Sequence, residues 1–445
     1  MDLTVPRQRM VEALGMVCKA ITKSDVPVLR YVMLSVVGEK LSLSATNLEL
    51  TITRSLRLPY GDLSLMNLSA SKLLPGPYVL SLLSKTNDDK ASFSWEQKDD
   101  AEVFTVCFGN HRSKIKGIPP ASEFPGIPSM DQEGISVGGM DLERLLGLAL
   151  PFASNDRYDE VVRSVLFQMD ANQLVAAATD KHRLAVIKMN HGGLVQKESS
   201  CIIPRDSIKA LLSIIRDDKV ILSQSGQFLG FRGSDWQAVV RLVEGQYPNI
   251  WGIIPEEYLL KAEIQKDSLL RALKICSQVS DADPGLDLHL GTELSIENQG
   301  QYGDAVQPVE GMLLEGENLA DANLDIIRFN SRFMFEAVRQ IQSKHIILET
   351  EAYAKPIKIY GNTPMSNWEE TYLILPIRRD IAEVQQEQAS EDHVSGESQG
   401  YQDEENLCGA CLFYGTENCP SVNISPDDPV CGTFQPIQEP VGATA

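Results

Sequence analysis

The sequence predicts an α+β chain in which one unit, two helices packed on antiparallel sheet, is repeated three times. Three observations predict it. First, "VMLSVVGEKLSLSATNLELTI" from Val32 to Ile52 returns 133 positions later as "VLFQMDANQLVAAATDKHRLAVI" from Val165 to Ile187, and more faintly as "LDLHLGTELSIEN", where Leu294 falls over Leu41. Second, apolar residues at helical spacing stand before each copy and again after it. Third, the first two units close alike, with "EFPGIP" ending at Pro128 and "QYPNIWGIIP" ending at Pro255.

Taken in order, the spacing of Met10, Leu14, Val17 and Ile21 predicts the first helix, that of Leu142, Leu145, Ala149 and Phe152 the third, and that of Leu269, Leu273 and Cys276 the fifth. The copies themselves alternate apolar and polar residues around Gly, Asn or Asp, the pattern of a hairpin half buried against a core. After each comes a lead-in and a second helix: "LSASKLLPGPYVLSLLSK", "IIPRDSIKALLSIIRDD" and "IIRFNSRFMFEAVRQIQSK". Pro75 and Pro77 interrupt the first of these, so it is not expected to form one continuous helix. The domains expected are residues 1–128, 129–256 and 257–379, followed by an acidic linker (380–406) and a four-cysteine module (407–436).

The 445 residues are 43% apolar, enough for several cores, and carry a net charge of −21. On its face that balance argues against nucleic acid as a partner. Its distribution weakens the objection, because residues 380–445 hold 13 acidic side chains and no Lys or Arg. The first twenty residues lack the apolar core of a signal peptide, and no run approaches the ~18 apolar residues of a membrane span, so a soluble, cytoplasmic protein is expected. Cys18, Cys107, Cys201 and Cys276 lie among apolar neighbours, where reduced, buried thiols are expected.

Cations gather on the predicted helix faces. Arg7, Arg9, Lys19 and Lys23 accompany the first helix, Lys72 and Lys85 flank the second, Lys266, Arg271 and Lys274 mark the fifth, and Arg332, Arg339 and Lys344 the sixth. In the middle unit Arg144, Arg157, Arg205, Lys209 and Arg216 face Asp141, Glu143, Asp156, Asp206, Asp217 and Asp218, so it is nearer neutral. Taken singly, each is an ordinary solvated helix face. Their recurrence on one element type points to a shared cationic surface.

Seven segments in register then carry a family resemblance: "VPVLRYVMLSV…LSLSATNLELTI", "ASEFPGIP", "VLFQM…AAATDKHRLAV", "CIIPRDSIKALL", "RLVEGQYPNIWGIIP", "IIRFNSRFMFEAV" and "TYLILPIR". From about Leu3 to Arg378 the chain resembles the bacterial DNA polymerase III β subunits, the sliding clamps. The resemblance implies a DNA-clamp fold, a head-to-tail homodimer of three-domain subunits closing a ring around double-stranded DNA, with helices lining the hole and sheets outside. It implies no catalysis and no cofactor. A ring holds DNA topologically and keeps a tethered polymerase at high local concentration, while cationic helices attract phosphates without reading sequence. On that basis Arg7, Arg9, Lys19, Lys23, Lys72, Lys85, Arg205, Lys209, Lys266, Arg271, Lys274, Arg332, Arg339 and Lys344 are expected to face DNA.

The same resemblance implies a cleft where short peptides of the polymerase III alpha subunit, the clamp loader and other partners dock. Carried over by position, it involves Val162, Thr179, His182, Arg183, Leu184, Pro255, Leu373, Ile374, Leu375, Pro376 and Ile377, with His182 and Arg183 expected to hydrogen-bond the peptide. Lys181 stands where the family usually has Gly, and Asp206 where a Lys is common. At the dimer seam the resemblance implies Ile275 and Cys276 against Ile115 and Ile118.

Beyond the resemblance lies the tail. Its acidic stretch contains Gly396-Glu397-Ser398-Gln399-Gly400, which has the nucleophile-elbow pattern but neither the preceding apolar strand nor the following helix that pattern needs. Cys408 and Cys411 form a C-x-x-C pair, joined by Cys419 and Cys431. Thiolates so spaced suit structural zinc, with an iron–sulfur cluster, or disulfides or free thiols, as the alternatives.

Two competing readings remain. "AATDKHRLA" places Asp180, His182 and two cations together, which raises a hydrolase; yet the first unit has Leu48 and Glu49 where the second has Lys181 and His182, so the scaffold does not need those side chains. No G-x-x-x-x-G-K-[ST] or H-E-x-x-H motif occurs, and there are only six histidines. The other competitor is a clamp-like docking module that does not encircle DNA.

Overall fold

The structure is a computed structural model that describes residues 1–378 except 58–69, 99–100, 129, 131–132, 192, 194–197, 280–284, 292, 301–302, 317–318, 320–321, 323, 353 and 364–366. Among the described residues there are six α-helices: α1 (Arg7–Val17), α2 (Gly76–Leu83), α3 (Gly139–Ala149), α4 (Arg205–Leu212), α5 (Lys266–Cys276) and α6 (Ser331–Gln340). They fall two to a repeat. Prolines open three of them, with Pro6, Pro75 and Pro204 at the N-cap of α1, α2 and α4, where a missing N–H costs nothing. At α6 the Asn330 side chain takes over this work and accepts from the backbone N–H groups of Arg332 (3.1 Å) and Phe333 (3.2 Å).

The limit of the first helix changes, and the second segment breaks at its prolines as expected. α1 buries Met10, Ala13, Leu14 and Val17 as its spacing predicts, but it ends there in one 3-10 turn, Cys18–Ala20, and Ile21 is extended. β-branched Ile21 and Thr22 disfavour another helical turn. Lys72 lies on a strand, Ala70–Leu74, which precedes Pro75 and leads into α2.

The chain divides into two compact units: Met1–Leu150 with Arg157–Ala176 and Met189–Gly245, and Pro151–Asp156 with Ala177–Lys188 and the chain from Gln246. The first unit contains a four-stranded antiparallel sheet in the order Asp2–Pro6, Lys90–Lys98, Ala101–Phe108, His111–Ile118. In it Phe93 stacks on Phe104, Trp95 packs tilted against Phe104, and the Trp95 indole N–H donates to the Leu73 carbonyl at 2.7 Å. Its eight-stranded sheet runs Ala70–Leu74, Val32–Val37, Lys40–Thr46, Leu50–Arg57, Trp236–Arg241, Phe228–Arg232, Lys219–Ser225, Ile135–Gly138. Two repeats meet in the middle of that sheet, where Trp236 pairs with Arg54 and Val240 with Leu50.

The second unit repeats the arrangement. One sheet has the order Gly303–Val309, Leu294–Gly300, Gly285–Leu290, Ile326–Asn330. Another carries Arg183–Asn190, Trp368–Ile374, Ile357–Gly361, His345–Thr350, Leu260–Gln265 and Gly311–Glu315 as successive neighbours. Each repeated stretch is thus a three-stranded meander rather than a single hairpin. Asn47 and Asp180 make its second turn.

Candidate functional site

The segment Thr179–Leu184 is a tight turn tied down by its own side chains. Lys181 has φ 75°, a left-handed conformation that favours glycine. What holds it there is a short network: the Lys181 N–H donates to Thr179 Oγ1 (3.0 Å), and Asp180 Oδ1 accepts from the N–H groups of His182 (3.1 Å) and Arg183 (3.0 Å). Thr179 is wholly buried; its hydroxyl donates to the Arg183 carbonyl at 2.7 Å and its N–H to the Tyr247 hydroxyl at 3.2 Å.

Arg183 closes the turn from beneath and is only 5% exposed. Its Nε donates to Asp180 Oδ2 (2.9 Å), Nη1 to Glu336 Oε2 (2.5 Å) and Nη2 to the Pro151 carbonyl (3.0 Å). The guanidinium also lies over the rings of Phe333 (4.4 Å) and Phe152 (4.9 Å). Burial raises the Glu336 pKa, but hydrogen bonds and charge from Arg183 and Arg332 outweigh it and hold the carboxyl below its ordinary range. Arg183 is therefore a fixed internal strut whose guanidinium already has three partners within the chain. His182 is exposed, with its ring stacked on Phe333 at 6.4 Å, and its carbonyl accepts from the Leu375 N–H at 2.9 Å. That bond joins the turn to the closing segment.

Leu184, Leu373 and Ile374 have no exposed surface and belong to the core beneath this site. Leu375, Pro376, Ile377 and Pro255 are half-buried and form the accessible apolar part. Val162, 4% exposed, belongs to the other compact unit. Phe152, Phe333 and Glu336 were not foreseen: Glu336 stands 153 residues from its partner, and nothing local in the sequence marks that pairing. The hydrolase geometry is not formed, because the Asp180 carboxylate is occupied by two backbone N–H groups and Arg183 while the His182 ring stacks on Phe333.

The helix-face cations divide into two groups. Arg9, Lys19, Lys23, Lys85, Arg271, Lys274, Arg339 and Lys344 are exposed. Arg9 also donates to the Arg57 carbonyl at 3.3 Å, and the remaining cations, of which Arg332 and Lys209 are likewise exposed, have internal partners. Arg7 donates to the Asp88 carbonyl (2.7 Å) and to the Leu83 carbonyl at the end of α2 (3.0 Å), which is a capping role. Lys72 pairs with Glu102, Lys266 donates to the Ile341 carbonyl, and Arg205 donates to the Leu150 carbonyl at 3.0 Å. Arg332 bridges to Glu336 at 3.0 Å, and Lys209 to Asp206 at 3.1 Å.

The expected seam residues also separate. Ile275 is 40% exposed and Ile115 half-buried, whereas Cys276 and Ile118 lie in the chain's own core. The Cys276 thiol donates to the Ile296 carbonyl at 3.3 Å, so it cannot reach a partner surface as the chain stands. Cys18, Cys107, Cys201 and Cys276 are free thiols, and burial pushes those of Cys18 and Cys201 up to about 12. Cys408, Cys411, Cys419 and Cys431 lie outside the described residues, as does the Gly396–Gly400 stretch. Among the described residues no group of three or more His, Cys, Asp or Glu could hold a metal ion, and no helix is long and apolar enough to cross a membrane.

Two family models match the chain: "DNA polymerase III beta subunit, N-terminal domain" over residues 1–128 and "DNA polymerase III beta subunit, central domain" over residues 148–249. Together they cover more than half of the 445 residues. The beta sliding clamp of Staphylococcus aureus is 24% identical over 390 residues, which are 85% of this chain and 99% of that protein. Among solved structures, the DNA polymerase III subunit beta of Pseudomonas aeruginosa superimposes with a TM-score of 0.76 at 19% identity, covering 85% of this chain and 100% of that one. The C. crescentus beta sliding clamp, solved with a polyethylene glycol bound, gives a TM-score of 0.76 at 22% identity and covers 85% and 99% of the two chains.

Proposed function

Because the chain belongs to the DNA polymerase III beta subunit family, we propose that it is a DNA sliding clamp, a non-catalytic processivity factor that encircles duplex DNA as a homodimer and tethers the replicative polymerase, the clamp loader and other partners. One observation carries this reading. Within the first unit two repeats join edge to edge, Leu50–Arg57 against Trp236–Arg241, and the second unit makes the same junction between Arg183–Asn190 and Trp368–Ile374. The third copies of these two strands, Gly303–Val309 and His111–Ile118, are unpaired sheet edges among the described residues. A chain that makes two junctions and leaves both halves of a third exposed is completed by a second copy, head to tail, and two copies of three repeats close with six. The edges are chemically matched as well. Arg112, Lys114 and Lys116 are exposed on one, and Asp304 and Val306 on the other, with Ile115 and Ile275 beside them.

Sequence-independent attraction in such a ring comes from the exposed cations of α1, α5 and α6 and of the flanks of α1, α2 and α6, chiefly Arg9, Lys19, Lys23, Lys85, Arg271, Arg339 and Lys344. Partner peptides bind against Leu375, Pro376, Ile377 and Pro255, with His182 and Lys181 at the rim and Arg183 holding the turn from below. Retention after loading tests the whole: the protein stays on circular duplex and runs off linear duplex. Equal escape from both would return the chain to the status of a docking module.

The domain limits 1–128, 129–256 and 257–379 follow the three repeats, and a soluble, cytoplasmic protein fits them. The four tail cysteines suit a structural zinc site that plays no part in clamp function, because tetrahedral thiolate coordination can hold a segment too short to build its own core. Metal analysis of protein purified without added metal is expected to find about one zinc per chain. Iron in its place, or no metal, would reassign the tail.

A further inference from the structure

On the clamp reading, DNA is held through helix-face cations, and these are unevenly available. Lys19, Lys23 and Lys85 in the first repeat, like Arg271, Arg339 and Lys344 in the third, are exposed and form no ion pair among the described residues. The middle repeat differs. Asp206, the second residue of α4, takes Arg163 Nη2 on one carboxylate oxygen at 2.5 Å and Lys209 Nζ on the other at 3.1 Å. Arg205, beside it, donates to the Leu150 carbonyl, and the exposed residues of α3, packed against α4, include Asp141 and Glu143.

We propose that Asp206 is an electrostatic brake, a residue that keeps Arg163 and Lys209 from phosphate oxygens and thereby lowers the grip of the middle repeat on DNA. The chemistry is simple competition. Arg163, Asp206 and Lys209 are 34%, 50% and 52% exposed, so a phosphate can reach either cation, but only by displacing a carboxylate that also repels it. A topological ring loses nothing by this, because retention does not depend on affinity. Each phosphate contact that it forgoes reduces the counterions exchanged as the ring moves along the duplex.

The test is the salt dependence of binding to a short duplex, read by fluorescence anisotropy with the full chain. Asp206→Asn is nearly isosteric at an exposed site. It is expected to make the slope of log K against log salt steeper by about 1 to 2, as one or two new phosphate contacts form at ~0.9 each. Lys209→Gln in the unaltered protein is expected to leave the slope unchanged, whereas Arg271→Gln lowers it by about 0.9. Adding Lys209→Gln to Asp206→Asn should remove about half of the gain, which ties the effect to that cation. An Asp206→Asn slope equal to the parent's, or a Lys209→Gln loss as large as that of Arg271→Gln, overturns the brake. Retention on circular DNA is read separately. A protein retained on circles with an unchanged Asp206→Asn slope sinks the brake alone, whereas escape from circles sinks the clamp reading beneath it.

Discussion

The turns at Thr46–Leu50 and Thr179–Arg183 are built alike and closed differently. In the first, Asn47 Oδ1 accepts from the N–H groups of Glu49 (3.1 Å) and Leu50 (2.7 Å), and Thr46 Oγ1 from Leu48 (3.1 Å). In the second, Asp180 and Thr179 make the same three bonds. Leu48 has φ 76° and Lys181 75°. The side chain that closes each turn is what differs: Leu50 is 2% exposed and Arg183 5%, one an apolar plug and the other a cation with two carboxylate partners. The two turns share one backbone device, and the second closes it with a buried cation whose partner, Glu336, stands on α6.

The comparison breaks most visibly at that closing position. Arg183→Leu, which copies the first turn into the second, leaves Asp180 and Glu336 facing each other's environment without their shared cation and is expected to cost about 3 kcal/mol. Leu50→Arg is expected to cost a similar amount, because the first turn has no counterpart of Glu336. Denaturant unfolding with hydrogen exchange at each turn reads both, and a cost under about 1 kcal/mol for Arg183→Leu would show the network to be incidental.

Acid should expose the same difference. Glu336 has a folded-state pKa below its ordinary 4.5, so its contribution is fully present above the unfolded value and is lost as pH falls through the lower folded one. Protection of the amides at 182 and 183 is therefore expected to fall on acidification below about pH 4.5, while that at 49 and 50, where no carboxylate pairs, changes less. In Arg183→Leu the acid sensitivity of the second turn should shrink. Equal sensitivity of the two turns would remove Glu336 from the account.

How much of this was legible follows from distance along the chain. The threefold repeat, the helix pairs and the Ala-Thr-Asn/Asp turn could be read because each depends on residues within one window, where alternation and spacing show directly. The strut could not. Arg183 looked like a free rim cation because its partners, Glu336 and the Phe333 ring, come from a helix about 150 residues away. The partners of Arg7 and Lys72 were hidden likewise, since a charge count cannot tell a solvated cation from one capping the Leu83 carbonyl or paired with Glu102. Ile118 and Cys276 failed for a related reason: apolar character marks burial without saying against which chain.

A smaller effect separates the turn from the strut. Asn47→Ala removes an acceptor for two N–H groups and is expected to cost about 1.5 kcal/mol. Asp180→Asn keeps that acceptor and removes only the charge facing Arg183, for about 1 kcal/mol. If Asp180→Asn costs as much as Arg183→Leu, the carboxylate rather than the guanidinium holds the site together.

The smallest change is also the one that tells rim from scaffold. Leu48 and Lys181 both occupy left-handed backbone that glycine adopts without a Cβ penalty. Glycine at either place relieves that strain but adds freedom to the unfolded chain, and the balance is expected to favour the folded state by about 0.5 kcal/mol in each turn. Binding separates them, because Leu48→Gly alters no proposed contact, while Lys181→Gly removes a cation from the rim of the proposed peptide cleft. Affinity for acidic peptides is expected to fall by about threefold in Lys181→Gly, with apolar peptides unaffected, since one exposed charge pair contributes under about 1 kcal/mol. Isothermal titration of matched acidic and neutral peptides measures it. Identical shifts for both peptides would mean that Lys181 shapes the proposed cleft through its backbone alone.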